Sequence, residues 1–265
     1  MSNLKDKKLF LLDMDGTIYL DNDLFDGVLD FLAYVKERGG RYLFLTNNSS
    51  KSVDKYVEKL TSLGIPAEKD DFLTSTNATV LYLQKKNYHK IYAFGTESFR
   101  EQLCEGGLPI TDRLEDDIDC LCMGFDTELT FKKLEDACIL LNRGVDYVAT
   151  NPDWVCPTWY GSVPDCGSIS QILCTATGRK PLFIGKPEPA MVHLALEKTG
   201  FAKEEAAMIG DRMYTDIASG VNAGISTIFV LSGEGTMEDV GKNGVYPEFV
   251  LENIAELYRR LKSED

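Results

Sequence analysis

KLFLLDMDGT, at residues 8–17, is a short apolar run that ends in two carboxylates, a glycine and a threonine. The apolar part, Leu9–Leu12, is typical of a strand that is buried on both faces of a sheet. Asp13 and Asp15 lie two residues apart where this strand passes into a loop. In an open parallel sheet, ligands bind at that end of the strands, so the stretch predicts a buried strand followed by a functional loop. Asp-x-Asp-Gly is also a common turn sequence, and this simpler interpretation stays open at this point.

Strand-like and helix-like segments alternate on both sides of this stretch. This alternation predicts an α/β fold whose core is a Rossmann-like parallel sheet with helices on both faces. Residues 89–180 contain strands and helices of their own between polar turns, and we expect them to form an inserted α/β cap domain. The expected core then comprises residues 1–88 and 181–265. The further strand-length runs assigned to that core are Tyr42–Leu45, Leu182–Ile184, Ala206–Ile209 and Thr227–Leu231.

The composition excludes several classes of protein. The 265 residues include 28 Lys or Arg and 42 Asp or Glu, which gives a net charge of −14. Since binding to nucleic acid needs clustered basic residues, we expect no nucleic-acid partner. No apolar run approaches the roughly 18 residues of a membrane span, and Met1–Lys8 has no apolar signal-peptide core, so we expect a cytoplasmic protein without a membrane partner. The seven cysteines are scattered and do not form a zinc pattern with the two histidines, so we expect reduced thiols.

Polar side chains follow three more of the strand-like runs. Each has an ordinary structural explanation when it is taken alone, such as helix capping, a solvated charge or a turn. Their joint placement at four strand ends favours a single crevice, provided that the strands are neighbours. Hydroxyl and amide groups just before a helix are also suited to binding an anion. These side chains are Thr46, Asn47 and Asn48, then Lys186, and then Asp211 with Asp216 five residues on.

In their order along the chain, DMDGT, LTNNS, GKP and GDRMYTDI resemble the four signature motifs of the haloacid-dehalogenase-like phosphatases. The long insertion between LTNNS and GKP is similar to the large α/β cap of the NagD-like, 4-nitrophenyl-phosphatase subgroup, and so are TNPD and GKPEPAM. The resemblance covers nearly the whole chain. It implies a phosphoric monoester hydrolase that uses Mg²⁺ and cleaves small-molecule phosphate monoesters through an aspartyl-phosphate intermediate.

The resemblance also implies a role for each strand-end residue. Asp13 is the nucleophile, and we expect a neighbouring cation to hold its pKa down. Asp15 protonates the leaving oxygen and then accepts a proton from water. The implied ligands of Mg²⁺ are Asp13, the backbone carbonyl of Asp15, and Asp211. The implied phosphate-binding residues are Thr46, Asn47, Asn48 and Lys186, with Asp216 behind them to hold Lys186 or a metal-bound water.

Two functions of other classes stay open at the level of sequence. One is a non-catalytic phosphate-ester-binding or regulatory protein on the same scaffold, and the intact pair of Asp13 and Asp15 counts against it. The other is a receiver that is phosphorylated on Asp13 as a switch, and the inserted block counts against that. The sequence does not name the physiological substrate, and it leaves a homo-oligomer open.

The segment Asn151–Gly167 is predicted to select the leaving group of the substrate. It is rich in turn residues and contains Trp154, Trp159 and Tyr160, and aromatic side chains on a loop are typical of a ligand surface. The alternative is that the rings pack within the cap's own core. Asp165 stands where similar proteins often have glycine. It is expected to disfavour substrates with a second anionic group, to pair with a substrate amine, or to cap the helix that follows.

Overall fold

The computed structural model describes residues 4–158 and 160–263, whose packing divides the chain into two compact units. The first unit contains the residues up to Thr46, Val53–Leu73 and the residues from Lys186 onwards. The second contains Asn47–Ser52 and Thr74–Gly185. These units change at 73/74 and 185/186, whereas the boundaries expected from the sequence were 88/89 and 180/181. The first boundary differs because the helix that begins at Ser75 packs against the helix that begins at Glu97. The second differs because Leu182 and Phe183 pair with Val148 and Ala149 of the second unit.

Strands and helices alternate along most of the described chain. In chain order the elements are β1 Leu9–Leu12, β2 Tyr19–Leu20, β3 Asp23–Leu24, α1 Val28–Glu37, β4 Arg41–Thr46, α2 Val53–Ser62, β5 Phe72–Thr74, α3 Ser75–Gln84, β6 Ile91–Phe94, α4 Glu97–Glu105, β7 Ile110–Thr111, β8 Cys120–Met123, α5 Phe131–Arg143, β9 Asp146–Ala149, β10 Val155–Thr158, β11 Gly161–Pro164, α6 Cys166–Thr177, β12 Leu182–Phe183, α7 Ala190–Thr199, β13 Ala206–Gly210, α8 Ala218–Ala223, β14 Ser226–Val230, β15 Phe249–Leu251 and α9 Ile254–Ser263.

The first unit is built on a sheet with the strand order β15-β14-β13-β1-β4-β5. Strand β1 pairs in parallel with β4 on one side and with β13 on the other, so that Leu9 lies opposite both Arg41 and Ala206. Every side chain of β1 is buried, as the continuous apolar run predicts. Helix α1 packs against α9, and α7 packs against α8. The predicted fold class, a Rossmann-like parallel sheet with helices on both faces, is confirmed.

The second unit has a parallel sheet of its own, with the strand order β12-β9-β8-β6-β7. Helices α5 and α6 pack against each other, and β10 and β11 form a separate antiparallel hairpin. The cysteines of β8, Cys120 and Cys122, are buried as free thiols.

One strand lies in a different sheet from the one that the sequence predicted. Leu182–Ile184 was assigned to the core sheet, but β12 pairs with β9 in the second unit, with Leu182 opposite Val148. The physical reason is that a short apolar run specifies burial and extension but not the identity of the neighbouring strand. Lys186 therefore reaches the first unit on the segment that follows β12 and not from the end of a core strand.

Over the part of the chain that the structure describes, no helix combines the length and apolar character needed to cross a membrane.

Candidate active site

Strands β4, β1 and β13 are neighbours, so the residues that follow their carboxyl ends come close together. The backbone N–H of Asp13 donates to the carbonyl of Ile209 at 2.9 Å, which continues the pairing of β1 with β13 one residue further. Asp211 directly follows β13, and Thr46 is the buried last residue of β4. The predicted meeting of these strand ends is therefore present in the first unit.

Lys186 lies at the centre of this group, and its side chain is only 3% exposed. Its Nζ is 2.6 Å from Oδ1 of Asp13 and 2.7 Å from Oδ1 of Asp216. It also donates to the carbonyl of Leu45, at 3.1 Å. An ammonium group has three N–H donors, and these three acceptors match them. The cation is thus held in place beside the carboxylate of Asp13.

Asp216 is supported on both of its carboxylate oxygens. It lies in a single π-helical turn, Met213–Ile217, and such turns are frequent at functional sites. While Oδ1 accepts from Lys186, Oδ2 accepts from the backbone N–H of Arg212 at 3.0 Å. A side chain at Gly210 would place its Cβ 2.3 Å from the Cβ of Asp216, so this close approach requires glycine in the Gly210-Asp211 motif.

Asp211 is fixed by the loop that follows β1 and by the loop that follows β14. Its Oδ2 accepts from the backbone N–H of Glu234 at 2.7 Å, and the Thr17 hydroxyl lies 3.4 Å from Oδ1. Gly16 has a φ of +84°, and a Cβ there would lie 2.5 Å from Oδ2 of Asp211. Glycine is therefore required in Asp-x-Asp-Gly both by the backbone conformation and by the space available.

The site is strongly acidic. Asp13, Asp211 and Asp216 each place a carboxylate oxygen within 4.8 Å of the others. Lys186 contacts two of them, and the nearby charge of Arg212 is itself paired with Glu234 at 2.9 Å. Burial raises the pKa of Asp211 to about 6, and the charge of Asp216 contributes to this rise. Burial lowers the pKa of Lys186, but the two carboxylates that it contacts outweigh this effect and raise it above its usual value. At neutral pH the ammonium group is therefore charged.

The expectation that a neighbouring cation holds down the pKa of Asp13 is wrong for the protein alone. Burial raises the pKa of Asp13 well above its ordinary value, and the charge of Asp216 raises it further. Lys186 lowers this pKa, but by less than the other two effects raise it. The contact with Lys186 therefore does not by itself bring the pKa of Asp13 down to its ordinary value.

Asp15 projects from the same loop into a separate set of contacts, and its side chain is 62% exposed. The Tyr19 hydroxyl donates to Oδ2 of Asp15 at 3.2 Å, and Nζ of Lys59 lies 3.6 Å from Oδ1. Burial raises the pKa of Tyr19, so its phenol keeps its proton. Neither neighbour was predicted from the sequence. The position of Tyr19 four residues after Asp15 was the one available signal, and nothing in the sequence pattern marks Lys59.

Asn47 and Asn48 belong to the second unit. Asn47 is buried, and its amide donates to Oδ2 of Asp153 at 2.7 Å. The Oδ1 atom of Asn48 accepts from the backbone N–H and the hydroxyl of Ser50, at 2.9 and 2.8 Å, so this side chain stabilises the turn that follows it. Their predicted contacts with phosphate remain predictions.

Comparison with known proteins identifies the family. Residues 10–109 match the family described as haloacid dehalogenase-like hydrolase, and residues 183–257 match the family described as HAD-hydrolase-like. The chain is 36% identical over 260 residues to an acid sugar phosphatase of Staphylococcus aureus (strain USA300), a match that covers 98% of this chain and 100% of that relative. The chain belongs to the haloacid dehalogenase-like hydrolases.

Solved structures place this hydrolase more closely. It is similar to a 4-nitrophenylphosphatase from Thermotoga maritima, with a TM-score of 0.91 and 42% identity over 97% of this chain and 98% of that one. It is also similar to a glycerol phosphate phosphatase from Mycobacterium tuberculosis in complex with calcium, with a TM-score of 0.89 and 30% identity over 97% of this chain and 76% of that one. The hydrolase is thus a phosphatase of the NagD-like, 4-nitrophenyl-phosphatase subgroup, and this prediction is confirmed.

The acidic cluster of the hydrolase fits a divalent cation. Its donors are carboxylate oxygens, which suit Mg²⁺ and similar hard cations, whereas zinc sites usually include nitrogen or sulfur donors. When all three carboxylates are ionised, they exceed the charge of Lys186 by two negative charges, which a divalent ion would balance. Asp13 and Asp211 are the better candidates for ligands, because both oxygens of Asp216 accept close hydrogen bonds, at 2.7 and 3.0 Å. Oδ1 of Asp211, in contrast, has only a long contact of 3.4 Å with the Thr17 hydroxyl.

The segment Asn151–Gly167 of the hydrolase contains two exposed aromatic side chains and the buried side chain of Asp165. Trp154 and Tyr160 are 56% and 65% exposed, which does not agree with rings that pack into the unit's own core. Trp159 lies outside the described residues. Asp165 is buried, accepts from the backbone N–H of Cys166 at the start of α6, and accepts from the amide of Asn151 at 3.1 Å. Of the three roles considered for Asp165, helix capping is therefore the one that these contacts support.

Proposed function

We propose that this chain is a Mg²⁺-dependent phosphatase that hydrolyses small phosphate monoesters, sugar phosphates among them, through a phosphoryl group carried on Asp13. The observation that carries the proposal is the carboxylate of Asp13, which lies 2.6 Å from the buried ammonium group of Lys186 within a cluster of acidic residues. Sugar phosphates are included because the Staphylococcus aureus relative is an acid sugar phosphatase.

In the first half of the reaction, a carboxylate oxygen of Asp13 attacks the phosphorus atom. The bond between phosphorus and the ester oxygen breaks, and the leaving oxygen takes a proton from the carboxyl group of Asp15. The products of this half are an alcohol and an aspartyl-phosphate. Lys186 stays beside Asp13 throughout and offsets negative charge on the transferring group.

In the second half, Asp15 accepts a proton from a water molecule, whose oxygen attacks the same phosphorus atom. The bond from phosphorus to Asp13 breaks, inorganic phosphate leaves, and both carboxyl groups return to their starting states. We propose that the Thr46 hydroxyl and the Asn47 and Asn48 groups donate hydrogen bonds to the phosphoryl oxygens, while Asp216 keeps Lys186 in position.

Asp13, Asp211 and the backbone carbonyl of Asp15 are the groups that would hold Mg²⁺. When bound, the ion supplies positive charge that offsets the repulsion between the carboxylates and the phosphate dianion. Among the described side chains, the cluster of three carboxylates has an excess of negative charge that this cofactor would neutralise.

The test is turnover of 4-nitrophenyl phosphate by the purified protein in Mg²⁺, after exhaustive chelation, and after Mg²⁺ is restored. We expect activity to disappear on chelation and to return with Mg²⁺. Asp13→Asn, a near-isosteric change that removes the nucleophile, should abolish turnover while the circular dichroism spectrum is unchanged. More than about a hundredth of wild-type turnover in this variant would contradict covalent catalysis by Asp13.

A second measurement addresses the intermediate and the non-catalytic alternative. Acid quenching during turnover, followed by mass spectrometry of the peptide that contains Asp13, should detect a phosphorylated form that is missing in Asp13→Asn. Binding of phosphate esters without turnover of any member of a substrate panel would indicate a binding protein. That panel should contain sugar phosphates, nucleoside monophosphates, phosphoglycolate and pyridoxal phosphate.

A further inference from the structure

The carboxyl group of Asp15 is held by two side chains that the family motifs do not include. Although the side chain is 62% exposed, each of its oxygens faces a different donor. The Tyr19 hydroxyl lies 3.2 Å from Oδ2, and the Lys59 ammonium lies 3.6 Å from Oδ1. The same ammonium lies 3.8 Å from the centroid of the Tyr19 ring, which is cation–π distance. The three groups therefore contact one another.

Tyr19 is rigid because the fold fixes its backbone and its ring. The loop closes through hydrogen bonds from the Gly16 N–H to the Tyr19 carbonyl at 2.8 Å and from the Ile18 N–H to the Met14 carbonyl at 2.9 Å. The Tyr19 side chain is fully buried in the core of the first unit. Because the ring is buried and the loop is closed, the Tyr19 hydroxyl points in a single direction. The donor that contacts Asp15 is therefore held by the core and not by a flexible, solvent-exposed side chain.

Lys59 comes from a helix that is anchored on the same core. It lies in α2 between the buried Tyr56 and the buried Leu60, and its own side chain is 28% exposed. Its aliphatic stem is therefore largely covered, whereas the ammonium reaches both the ring of Tyr19 and the carboxylate of Asp15. An exposed ion pair alone would contribute little, but here the lysine contacts a rigid ring as well.

We propose that Tyr19 and Lys59 are positioning residues that hold the Asp15 carboxyl group in the orientation needed for proton transfer. The inference rests on the proposed function, in which Asp15 donates a proton to the leaving oxygen. A general acid must lie about 2.6–3.2 Å from the atom that it protonates, and a largely exposed aspartate without restraints would leave that position often. Fixing Oδ2 through Tyr19 and restraining Oδ1 through Lys59 keeps one orientation populated.

The consequence is a dependence on the leaving group. An alkoxide is a poor leaving group and needs the proton from Asp15, whereas 4-nitrophenolate leaves readily without it. The value of kcat/KM reports the steps up to release of the leaving group, so it isolates the step in which Asp15 acts as an acid. Loss of positioning should therefore lower kcat/KM for an alkyl phosphate much more than for 4-nitrophenyl phosphate.

The experiment compares glycerol 2-phosphate with 4-nitrophenyl phosphate for Tyr19→Phe and Lys59→Met. We expect kcat/KM to fall about tenfold for the alkyl ester and less than about twofold for the aryl ester, as part of the roughly 10²–10⁴-fold that acid–base catalysis supplies. Lys59→Arg keeps the cation and should retain most of the alkyl-ester activity.

The first unit offers two matched controls. Tyr34→Phe removes a phenol that donates to the Leu261 carbonyl at 3.2 Å, and Lys55→Met removes an ammonium from the same helix, 2.9 Å from Glu58.

The effect should also depend on Asp15 itself. In an Asp15→Asn background, Tyr19→Phe and Lys59→Met should produce no further selective loss, because there is no acid left to position. The proposal is overturned if both substrates lose activity equally, if the test variants behave like the Tyr34 and Lys55 controls, or if the selective loss persists without Asp15. Failure of the proposed function is distinguishable, since the wild-type protein would then show no Mg²⁺-dependent turnover of either ester.

Discussion

At the scale of single residues, the ammonium group of Lys186 offsets the negative charge of two carboxylates in the site. It contacts two carboxylates and a backbone carbonyl while being almost fully buried. We predict that Lys186→Met abolishes turnover and lowers the free energy of unfolding by about 3–5 kcal/mol, because removing one partner of a buried ion pair leaves uncompensated charge. Urea denaturation in the absence of Mg²⁺ measures the second effect.

A double-mutant cycle separates charge from packing at this position. Asp216→Asn in the Lys186→Met background removes one of the stranded carboxylates, so part of the lost stability should return while activity stays absent. If the double variant is less stable than Lys186→Met alone, the cost comes from lost packing and not from unpaired charge. The hydrogen bond from the backbone N–H of Arg212 to Asp216 should persist in this variant, because the amide oxygen of asparagine can also accept it.

At the scale of elements, helix α6 depends on the buried carboxylate of Asp165. We predict that Asp165→Ala lowers the free energy of unfolding by about 2–3 kcal/mol, because it removes a helix cap and also leaves the amide of Asn151 without this acceptor. Asp165→Asn keeps a capping oxygen and should retain most of the stability. Neither change should alter the ratio of kcat/KM between mono- and dianionic leaving groups, because the carboxylate is buried and already bonded.

Helix α5 provides the matched control for this cap. Thr130 accepts from the N–H of Lys133 at 3.3 Å and is exposed, so Thr130→Ala should lower stability by about 1 kcal/mol or less. A loss in Asp165→Ala no greater than that in Thr130→Ala would show that burial of the Asp165 cap adds nothing. A change in the ratio of kcat/KM between mono- and dianionic leaving groups would instead support a role of Asp165 in substrate selection, as the sequence suggested.

The hairpin β10–β11 carries the prediction about the leaving group. Trp154→Ala and Tyr160→Ala should change kcat/KM several-fold for bulky leaving groups, while the free energy of unfolding changes by no more than about 0.5 kcal/mol, since both rings are exposed. Tyr246, which is 66% exposed in the first unit, is the matched control, and Tyr246→Ala should leave the substrate profile unchanged. An unchanged profile in both Trp154→Ala, just before β10, and Tyr160→Ala, in the turn between β10 and β11, would remove this segment from substrate selection.

The elements also show how far the sequence could predict the fold and the site. The apolar strand before Asp13 and the polar residues after it could be predicted, because period and burial are local properties of a segment. The sheet that receives Leu182–Ile184 could not, because pairing partners are chosen by packing between distant segments. Lys59 was missed for the same reason, since its contact with Asp15 depends on how helix α2 packs against the loop after β1.

At the scale of the whole molecule, charge limits what the site can do unaided. The chain carries a net charge of −14, and its site adds three close carboxylates to one lysine. A phosphate dianion is therefore repelled both by the general field of the protein and by the site itself. Because negative charge is in excess, protons and divalent cations compete for the same three carboxylates. The stability of the protein is therefore linked to pH.

The last prediction follows from this linkage and concerns the Mg²⁺-free protein. The pKa of Asp211 is about 6 in the folded state, against about 3.9 in an unfolded chain, so between these values the folded state binds more protons. The free energy of unfolding must then increase as the pH falls from about 7.5 to about 5, on the order of 1–3 kcal/mol, with the raised pKa of Asp13 acting in the same direction. Lys186 contributes nothing in this window, because its raised pKa matters only in strong alkali.

Urea denaturation with EDTA at several pH values measures how the free energy of unfolding changes with pH. Asp211→Asn should flatten this slope. Asp239 lies on the surface and has a pKa of about 2, so the control variant Asp239→Asn should leave the slope intact. Saturating Mg²⁺ should weaken or reverse the slope, because the ion requires the ionised carboxylates. Stability that decreases on acidification in EDTA, or an undiminished slope in Asp211→Asn, would rule out protonation of this cluster as its cause.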